Sequence, residues 1–189
     1  MDVAAGKVSV KSYLEMDAEA DGKLELLNGV VVATAGASPR HNQLVSNVAR
    51  AIGNGLEGSP CRVLTQDQRV RVEATESYIY PDVVVICDEP RFDSSARPVS
   101  LLNPTSVIEV LSESTRDHDL GAKLGHYRQI PSISGVLFVH SETRAATLLT
   151  RQADGSWKLV DRGPNGDVEL AGVRLSLEAI YHRTENLPA

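Results

Sequence analysis

The sequence lacks an apolar run of about 18 residues and a charged-then-apolar leader. The first absence predicts a protein without a membrane span, and the second predicts one without a signal peptide. Together they favour a cytoplasmic location. The sequence also lacks internal repeats and low-complexity segments, which argues against a repeat architecture.

Cysteine is scarce, since Cys61 and Cys87 are the two in the chain, and they show no C-x-x-C spacing. Both lie in strand-like apolar contexts, and free cysteine is among the most buried residue types. We therefore expect two buried free thiols. The histidines show no metal-ligand spacing on a shared face, which argues against a zinc site.

The sequence has no surplus of positive charge. Its 19 Lys and Arg residues stand against 25 Asp and Glu residues, which gives a net charge of −6. Nonspecific nucleic-acid binding depends on a surplus of Lys and Arg, so the balance argues against a protein that coats polyanions and leaves a local basic groove as the alternative. We expect weak nonspecific binding to a bare duplex, through a few arginines such as Arg40, Arg69, Arg71 and Arg116.

The chain has 189 residues with an apolar content of 42%, which is enough for one domain with a sizeable core. We place this domain at residues 9–185, after a frayed N-terminus at residues 1–8. The apolar patterns predict an N-terminal hairpin, several central strands alternating with helices, and C-terminal antiparallel strands. The expected fold class is α/β (α+β), with a mixed sheet flanked by helices.

The most informative stretch runs from Pro104 to Tyr127. Residues 106–111 are apolar on both faces of a predicted strand, as in a central covered strand, yet Glu109 lies in its middle. The following helix carries apolar residues at i, i+4 and i+7, and Lys123 falls inside that arc. A buried carboxylate needs a partner, and here two opposite charges point toward one interior.

Glu25 is a further acidic candidate. Asn28-Gly29 predicts a type I′ turn between two apolar runs. Counting outward from this turn pairs Glu25 with Val32, so that its carboxylate shares a face with apolar side chains. The alternative is an exposed glutamate on an edge strand.

Two more stretches carry candidate site residues. Ser38 and Pro39 predict the start of an amphipathic helix, and His41 in its first turn could donate to a phosphate or could be a plain surface histidine. The run Tyr80–Ile86 predicts a strand that begins near Asp82. The side chain of Asp82 would lie on the same face of this strand as Val84 and Ile86. Residues 88–103, rich in proline, predict an exposed loop that could border a substrate.

Acidic side chains on strands together with one inward lysine suit a Mg²⁺-dependent phosphoryl-transfer site. Hard oxygen ligands take the metal, and a lysine steadies the nucleophile or the transition state. The alternative is a structural network of buried ion pairs.

The chain resembles the Uma family of restriction-endonuclease-like proteins within the PD-(D/E)XK nuclease superfamily, over roughly residues 10–180. Five motifs carry the resemblance in the right order: Leu24–Gly29, Ser38–His41, Tyr80–Val85, Val107–Ser112 with Ser114-Thr115, and Asp119–Tyr127. The resemblance implies a restriction-endonuclease-like fold, with Asp82 and Glu109 as metal ligands and Glu25 as the acidic residue contributed early in the chain. The superfamily's lysine belongs two residues after the second acid, where Leu111 stands, and the family likeness implies its relocation to Lys123.

Our leading hypothesis is an endonuclease that uses Mg²⁺ (or Mn²⁺) to hydrolyse phosphodiester bonds in DNA. Asp82, Glu109, Lys123 and Glu25 would form the catalytic set. Arg40, His41 and Arg116 would contact the substrate, and a homodimer would offer two sites for two strands. The alternatives are a catalytically inactive nuclease-fold protein used for binding or assembly, and a hydrolase of a smaller phosphate ester.

Overall fold

The structure is a computed structural model that describes residues 7–34, 36–112 and 119–188. Four helices lie within these ranges: α1 (Val10–Glu19), α2 (Pro39–Gly55), α3 (Leu124–Tyr127) and α4 (Leu177–Ile180). A 3₁₀ turn covers Glu73–Thr75, and a π-helical turn, Asp119–Lys123, leads directly into α3.

The strands in the described ranges divide into an earlier and a later group. The earlier group is β1 (Leu24–Leu27), β2 (Val30–Ala33), β3 (Arg62–Thr65), β4 (Val70–Val72), β5 (Ser77–Ile79), β6 (Val83–Ile86), β7 (Phe92–Asp93) and β8 (Ser100–Leu101). The later group is β9 (Ser106–Leu111), β10 (Gly135–His140), β11 (Ala146–Arg151), β12 (Trp157–Arg162), β13 (Asp167–Leu170) and β14 (Val173–Ser176).

Most of these strands form two six-stranded mixed sheets. The central sheet has the order β12-β11-β10-β9-β6-β3, and the second sheet has the order β2-β1-β5-β4-β8-β7. In the central sheet β9 and β10 are parallel, whereas the other neighbours are antiparallel. The expected mixed sheet with flanking helices, N-terminal hairpin and C-terminal antiparallel strands is confirmed. No helix in the described ranges is long and apolar enough to span a membrane.

Strand β9 is the covered central strand that its sequence predicts, because all six of its residues are buried. Ile108 and Val110 belong to an apolar cluster that includes α2, whereas Val107 and Leu111 belong to a second cluster with Tyr127. Burying such a side chain stabilises a fold by roughly 1.5–3 kcal/mol. Because side chains alternate along a strand, Glu109 shares the face of Val107 and Leu111, and these apolar neighbours set its position.

Helix α2 begins as its sequence predicts. The Ser38 hydroxyl accepts a hydrogen bond from the His41 amide at 3.1 Å, and Pro39 occupies the first turn. A buried apolar stripe then anchors the helix to the central sheet: Leu44, Val45, Val48 and Ile52. This packing fixes the first turn, and with it His41, relative to the strands.

The predicted hairpin is also confirmed. Asn28 and Gly29 have positive φ angles of 54° and 85°, as a type I′ turn requires, and Glu25 pairs with Val32. Strand β1 lies between β2 and β5 rather than at an edge. The alternative of an exposed edge-strand glutamate is therefore wrong, since Glu25 is 1% exposed.

The region after β6 is more ordered than its prolines suggest. Residues 88–103 contain β7 and β8, and Leu101 is buried where it pairs with Val70 of β4. The prediction of an exposed loop is therefore wrong for this part of the region. The prolines exclude a long strand, but they leave room for two-residue strands that close the second sheet.

The prediction of two free thiols is wrong, because Cys61 and Cys87 form a disulfide. Strands β3 and β6 are antiparallel, with Arg62 opposite Ile86. One further step along this register places the two cysteines opposite each other. Sequence spacing gives no sign of this bond, because the partners are 26 residues apart and meet only through strand pairing.

Candidate active site

Three buried charged side chains converge between the two sheets. Lys123 Nζ lies 3.0 Å from Glu25 Oε1 and 3.5 Å from Glu109 Oε1. Glu25, Glu109 and Lys123 are 1%, 3% and 6% exposed. The inward direction of Lys123 predicted from the helical arc is confirmed, and its ammonium group lies between two carboxylates.

Glu25 is held by the backbone as well as by Lys123. The Tyr80 amide donates a hydrogen bond to Glu25 Oε1 at 2.9 Å. A buried ion pair is stable only when further hydrogen bonds satisfy its charges. Strand β1 thus brings this early acidic residue to the same place as the later lysine, although they are far apart in sequence.

Glu109 has a second donor that the sequence reasoning missed. The hydroxyl group of Tyr127 donates to Glu109 Oε1, the oxygen that Lys123 also approaches. Helical periodicity describes Tyr127 only as the last apolar position of the predicted stripe. The available signal was its spacing of four residues from Lys123, which places both side chains on one face of a helix.

Asp82 lies just before β6, next to Glu109. Val83 pairs with Ile108 in antiparallel register, so one further step places Asp82 opposite Glu109. The Val110 amide donates to Asp82 Oδ2 at 2.7 Å, and His41 Nε2 lies 3.2 Å from the same oxygen. The structure therefore joins the first turn of α2 to the start of β6.

The arginines expected to contact the substrate or a duplex lie in different environments. Arg40 lies beside His41 in the first turn of α2, and no described group hydrogen-bonds to its buried Nε. Arg116 lies outside the described residues. Arg71 is paired with Asp93 at 2.5 Å. A phosphate contact by Arg69 is contradicted, because its guanidinium group is fully buried.

Arg69 instead belongs to a buried network behind the site. Its Nη1 lies 2.6 Å from Asp17 Oδ2, and its Nε donates to the Ser100 hydroxyl at 2.8 Å. The Tyr80 hydroxyl donates to the same Asp17 oxygen at 2.8 Å. Burial, and then this hydrogen bond, raise the pKa of Tyr80, so that it stays protonated. Tyr80 thus connects the Asp17–Arg69 pair to Glu25.

The donor chemistry at Asp82 and Glu109 fits a hard divalent cation. Mg²⁺ is often held by one or two carboxylates, with waters and substrate phosphate oxygens completing its octahedron. In the ranges that the structure covers, no group of three or more His, Cys, Asp and Glu residues has the arrangement of a metal site. Two carboxylates on neighbouring strands are consistent with both statements.

Comparison with solved structures gives the fold. The crystal structure of a putative nuclease belonging to DUF820, from Anabaena variabilis ATCC 29413, matches with a TM-score of 0.74 at 14% sequence identity. The match covers 92% of this chain and 97% of that chain. The restriction-endonuclease-like mixed sheet expected from the sequence agrees with this match.

Sequence comparison gives the family. Two uncharacterized proteins of Synechocystis sp., sll1609 and slr1290, are each 30% identical over 177 residues. These alignments cover 93% of this chain and 99% and 92% of the two relatives. A family model described as "Putative restriction endonuclease" matches residues 10–179. The chain therefore belongs to the Uma2 family of putative restriction endonucleases.

Proposed function

We propose that this protein is an endonuclease that hydrolyses phosphodiester bonds in DNA with the help of Mg²⁺ or Mn²⁺. The observation that carries the proposal is the buried lysine held between Glu25 and Glu109. Strand register places Asp82 opposite Glu109. Acidic ligands with one neighbouring ammonium group match the chemistry of metal-assisted phosphoryl transfer. Membership of the Uma2 family supports the same reaction class.

Asp82 and Glu109 would hold the metal. When bound, the cation supplies charge stabilisation at the phosphate and lowers the pKa of a water molecule. The Val110 amide orients Asp82, and the register between β6 and β9 brings the backbones of Asp82 and Glu109 opposite each other. The strand pairing thus brings the two candidate ligands together before the metal arrives.

Lys123 would stabilise the negative charge that develops on the nucleophile or the phosphate. Its side chain is 8% exposed, so water screens its charge little, and an electrostatic contact is stronger in such surroundings. Glu25 and Glu109 compensate the charge in the resting protein. A lysine fixed at this point needs no reorganisation when the substrate arrives.

The charge distribution supports weak binding to a bare duplex. The chain carries a net charge of −6, and several basic side chains are already engaged with carboxylates. Arg40 and His41, on the first turn of α2, are the candidate phosphate contacts among the described residues. The single domain, the homodimer, the DNA substrate and the cytoplasmic location stay predictions.

A second candidate function is a catalytically inactive protein that keeps the nuclease fold for binding or assembly. The contacts of Lys123 favour it, because the lysine already forms ion pairs with Glu25 and Glu109. A self-contained network of this kind can be purely structural. Activity and metal binding therefore have to be measured together.

Replacing Asp82 with asparagine or Glu109 with glutamine is expected to lower Mg²⁺-dependent cleavage of DNA at least about 100-fold, because metal catalysis supplies several kcal/mol of charge stabilisation. Asparagine at position 82 can still accept the hydrogen bond from the Val110 amide. We therefore expect the melting temperature of Asp82→Asn to match that of the wild type. The assay is a time course of cleavage with and without EDTA.

The matched control is Asp167→Asn, which removes a carboxylate from an ion pair with Arg174 on the β13–β14 hairpin. Surface pairs contribute about 0–1 kcal/mol, so this variant should cleave like the wild type. Full activity of both site variants would contradict the proposal, and so would unfolding of both, which is the mark of structural ion pairs.

A further inference from the structure

Tyr127 is buried against the candidate metal ligand Glu109. Its side chain is fully buried, in the apolar cluster that also contains Leu111 and Phe138. The surrounding side chains leave its ring little freedom, because protein interiors are close-packed. Its hydroxyl donates to Glu109 Oε1. A rigid aromatic ring thus holds one oxygen of a flexible carboxylate.

The two glutamates differ in their distances to Lys123 and in the other donors described around them. Lys123 Nζ is nearer to Glu25, at 3.0 Å, than to Glu109, at 3.5 Å, and the Tyr80 amide also donates to Glu25. The hydroxyl of Tyr127 forms the shorter contact to Glu109. Among these contacts, the lysine lies nearer to Glu25, whereas the carboxylate of Glu109 lies nearer to the Tyr127 hydroxyl than to Lys123.

Fixing one carboxylate oxygen also fixes the direction of the other. A glutamate side chain has several rotatable bonds, and a ligand that must be ordered on metal binding loses affinity through its entropy. Hydrogen-bond partners of ligating groups remove part of that cost, and their loss typically weakens metal affinity or activity 10–100-fold. Tyr127 is such a hydrogen-bond partner of the candidate ligand Glu109.

We propose that Tyr127 is the positioning residue for Glu109, and that Glu25 has the corresponding role for Lys123. This inference rests on the proposed function, in which Glu109 holds a divalent cation. It predicts that loss of Tyr127 and loss of Glu25 have different effects on metal binding and on turnover. Removing the Tyr127 hydroxyl weakens metal binding, whereas removing the Glu25 charge lowers turnover and leaves metal binding in place.

The test measures Mn²⁺ binding by isothermal titration calorimetry and DNA cleavage as a function of Mn²⁺ concentration. For Tyr127→Phe we expect the Kd for Mn²⁺ to rise by about 10-fold or more, and high Mn²⁺ to restore most of the cleavage. For Glu25→Gln we expect a wild-type Kd for Mn²⁺ and a lowered kcat that extra Mn²⁺ does not restore.

Tyr181→Phe is the matched control. Tyr181 is also buried, and its hydroxyl is within hydrogen-bonding distance of the carbonyl oxygens of His140 and Ala145, in and after β10. Its loss removes a buried tyrosine hydroxyl of comparable environment from another part of the fold. We expect its stability to fall while its Mn²⁺ Kd stays that of the wild type.

The outcomes separate the inference from the proposed function. If the wild type binds Mn²⁺ and Tyr127→Phe binds it equally well, the positioning role is overturned and the metal site stands. If cleavage by Tyr127→Phe stays low at saturating Mn²⁺ with an unchanged Kd, the role is overturned as well. A wild type that binds no Mn²⁺ overturns both.

A second measurement covers the case in which Tyr127→Phe does not fold. Wild-type protein with ¹³C-labelled tyrosine rings is titrated with Mg²⁺ and followed by NMR. We expect the assigned ring resonance of Tyr127 to shift in step with metal binding, while that of Tyr181 stays in place. Metal binding without a shift at Tyr127 overturns the inference.

Discussion

Lys123→Met is expected to lower DNA cleavage by about two orders of magnitude or more, the scale of losing one preorganised electrostatic contact. Methionine keeps the apolar stem but removes the charge that lies between Glu25 and Glu109. The two carboxylates then face each other without their cation, so the metal-free protein should melt earlier. Bound Mn²⁺ should restore much of this stability, because it replaces the lost positive charge.

The assay combines single-turnover cleavage with thermal melts in Mn²⁺ and in EDTA. Lys123→Arg should rescue only part of the activity, because a planar guanidinium group does not replace a compact ammonium group. Lys158 is an exposed lysine on β12, so the control variant Lys158→Met should cleave and melt like the wild type. Unchanged cleavage by Lys123→Met would remove Lys123 from the site, and unfolding even with Mn²⁺ would make it a structural partner.

Arg69→Met is expected to have the largest effect on stability, about 3–5 kcal/mol in the free energy of unfolding. This is the usual cost of removing one partner from a buried ion pair. The substitution removes the contacts of Arg69 with Asp17, Ser100 and the Pro98 carbonyl. It leaves the Asp17 carboxylate buried without its counter-ion.

The measurement is equilibrium denaturation in urea. Arg174→Met breaks the exposed pair with Asp167 and should cost less than about 1 kcal/mol. The double variant Asp17→Asn with Arg69→Met should recover part of the loss, because no uncompensated charge remains. A cost for Arg69→Met as small as that of Arg174→Met would show that the buried pair contributes little.

The local parts of the site were predictable from the sequence because short-range rules fix them. The Asn28-Gly29 turn sets the register of its hairpin and therefore the face of Glu25. Helical spacing gave the inward direction of Lys123, and the run of apolar residues around Glu109 gave a covered strand. Each of these inferences depends on neighbours within a few positions.

The rest depends on contacts between distant segments. The Cys61–Cys87 disulfide follows from pairing between β3 and β6, and the burial of Arg69 follows from its meeting with Asp17, which is 52 residues away. A charged residue directly before a strand is normally interpreted as solvent-exposed. Long-range pairing reverses that interpretation here.

The role of Tyr127 was missed for another reason. A tyrosine on an apolar stripe is usually a core residue, and Tyr127 is one, since it is fully buried. Its ring packs in the apolar cluster while its hydroxyl reaches Glu109. Sequence periodicity describes the ring and is silent about the hydroxyl, so only the structure shows that one side chain has both contacts.

The central claim is that Asp82 and Glu109 bind one divalent cation. Crystals soaked in Mn²⁺ and measured at a wavelength where manganese scatters anomalously test it directly. We predict one strong anomalous peak at coordination distance, about 2 Å, from carboxylate oxygens of both residues, and its loss in Asp82→Asn. Lys123 paired with Glu25 and Glu109 in every molecule, with no anomalous peak near Asp82 and Glu109, would contradict the account. That result would favour a nuclease fold that no longer binds metal.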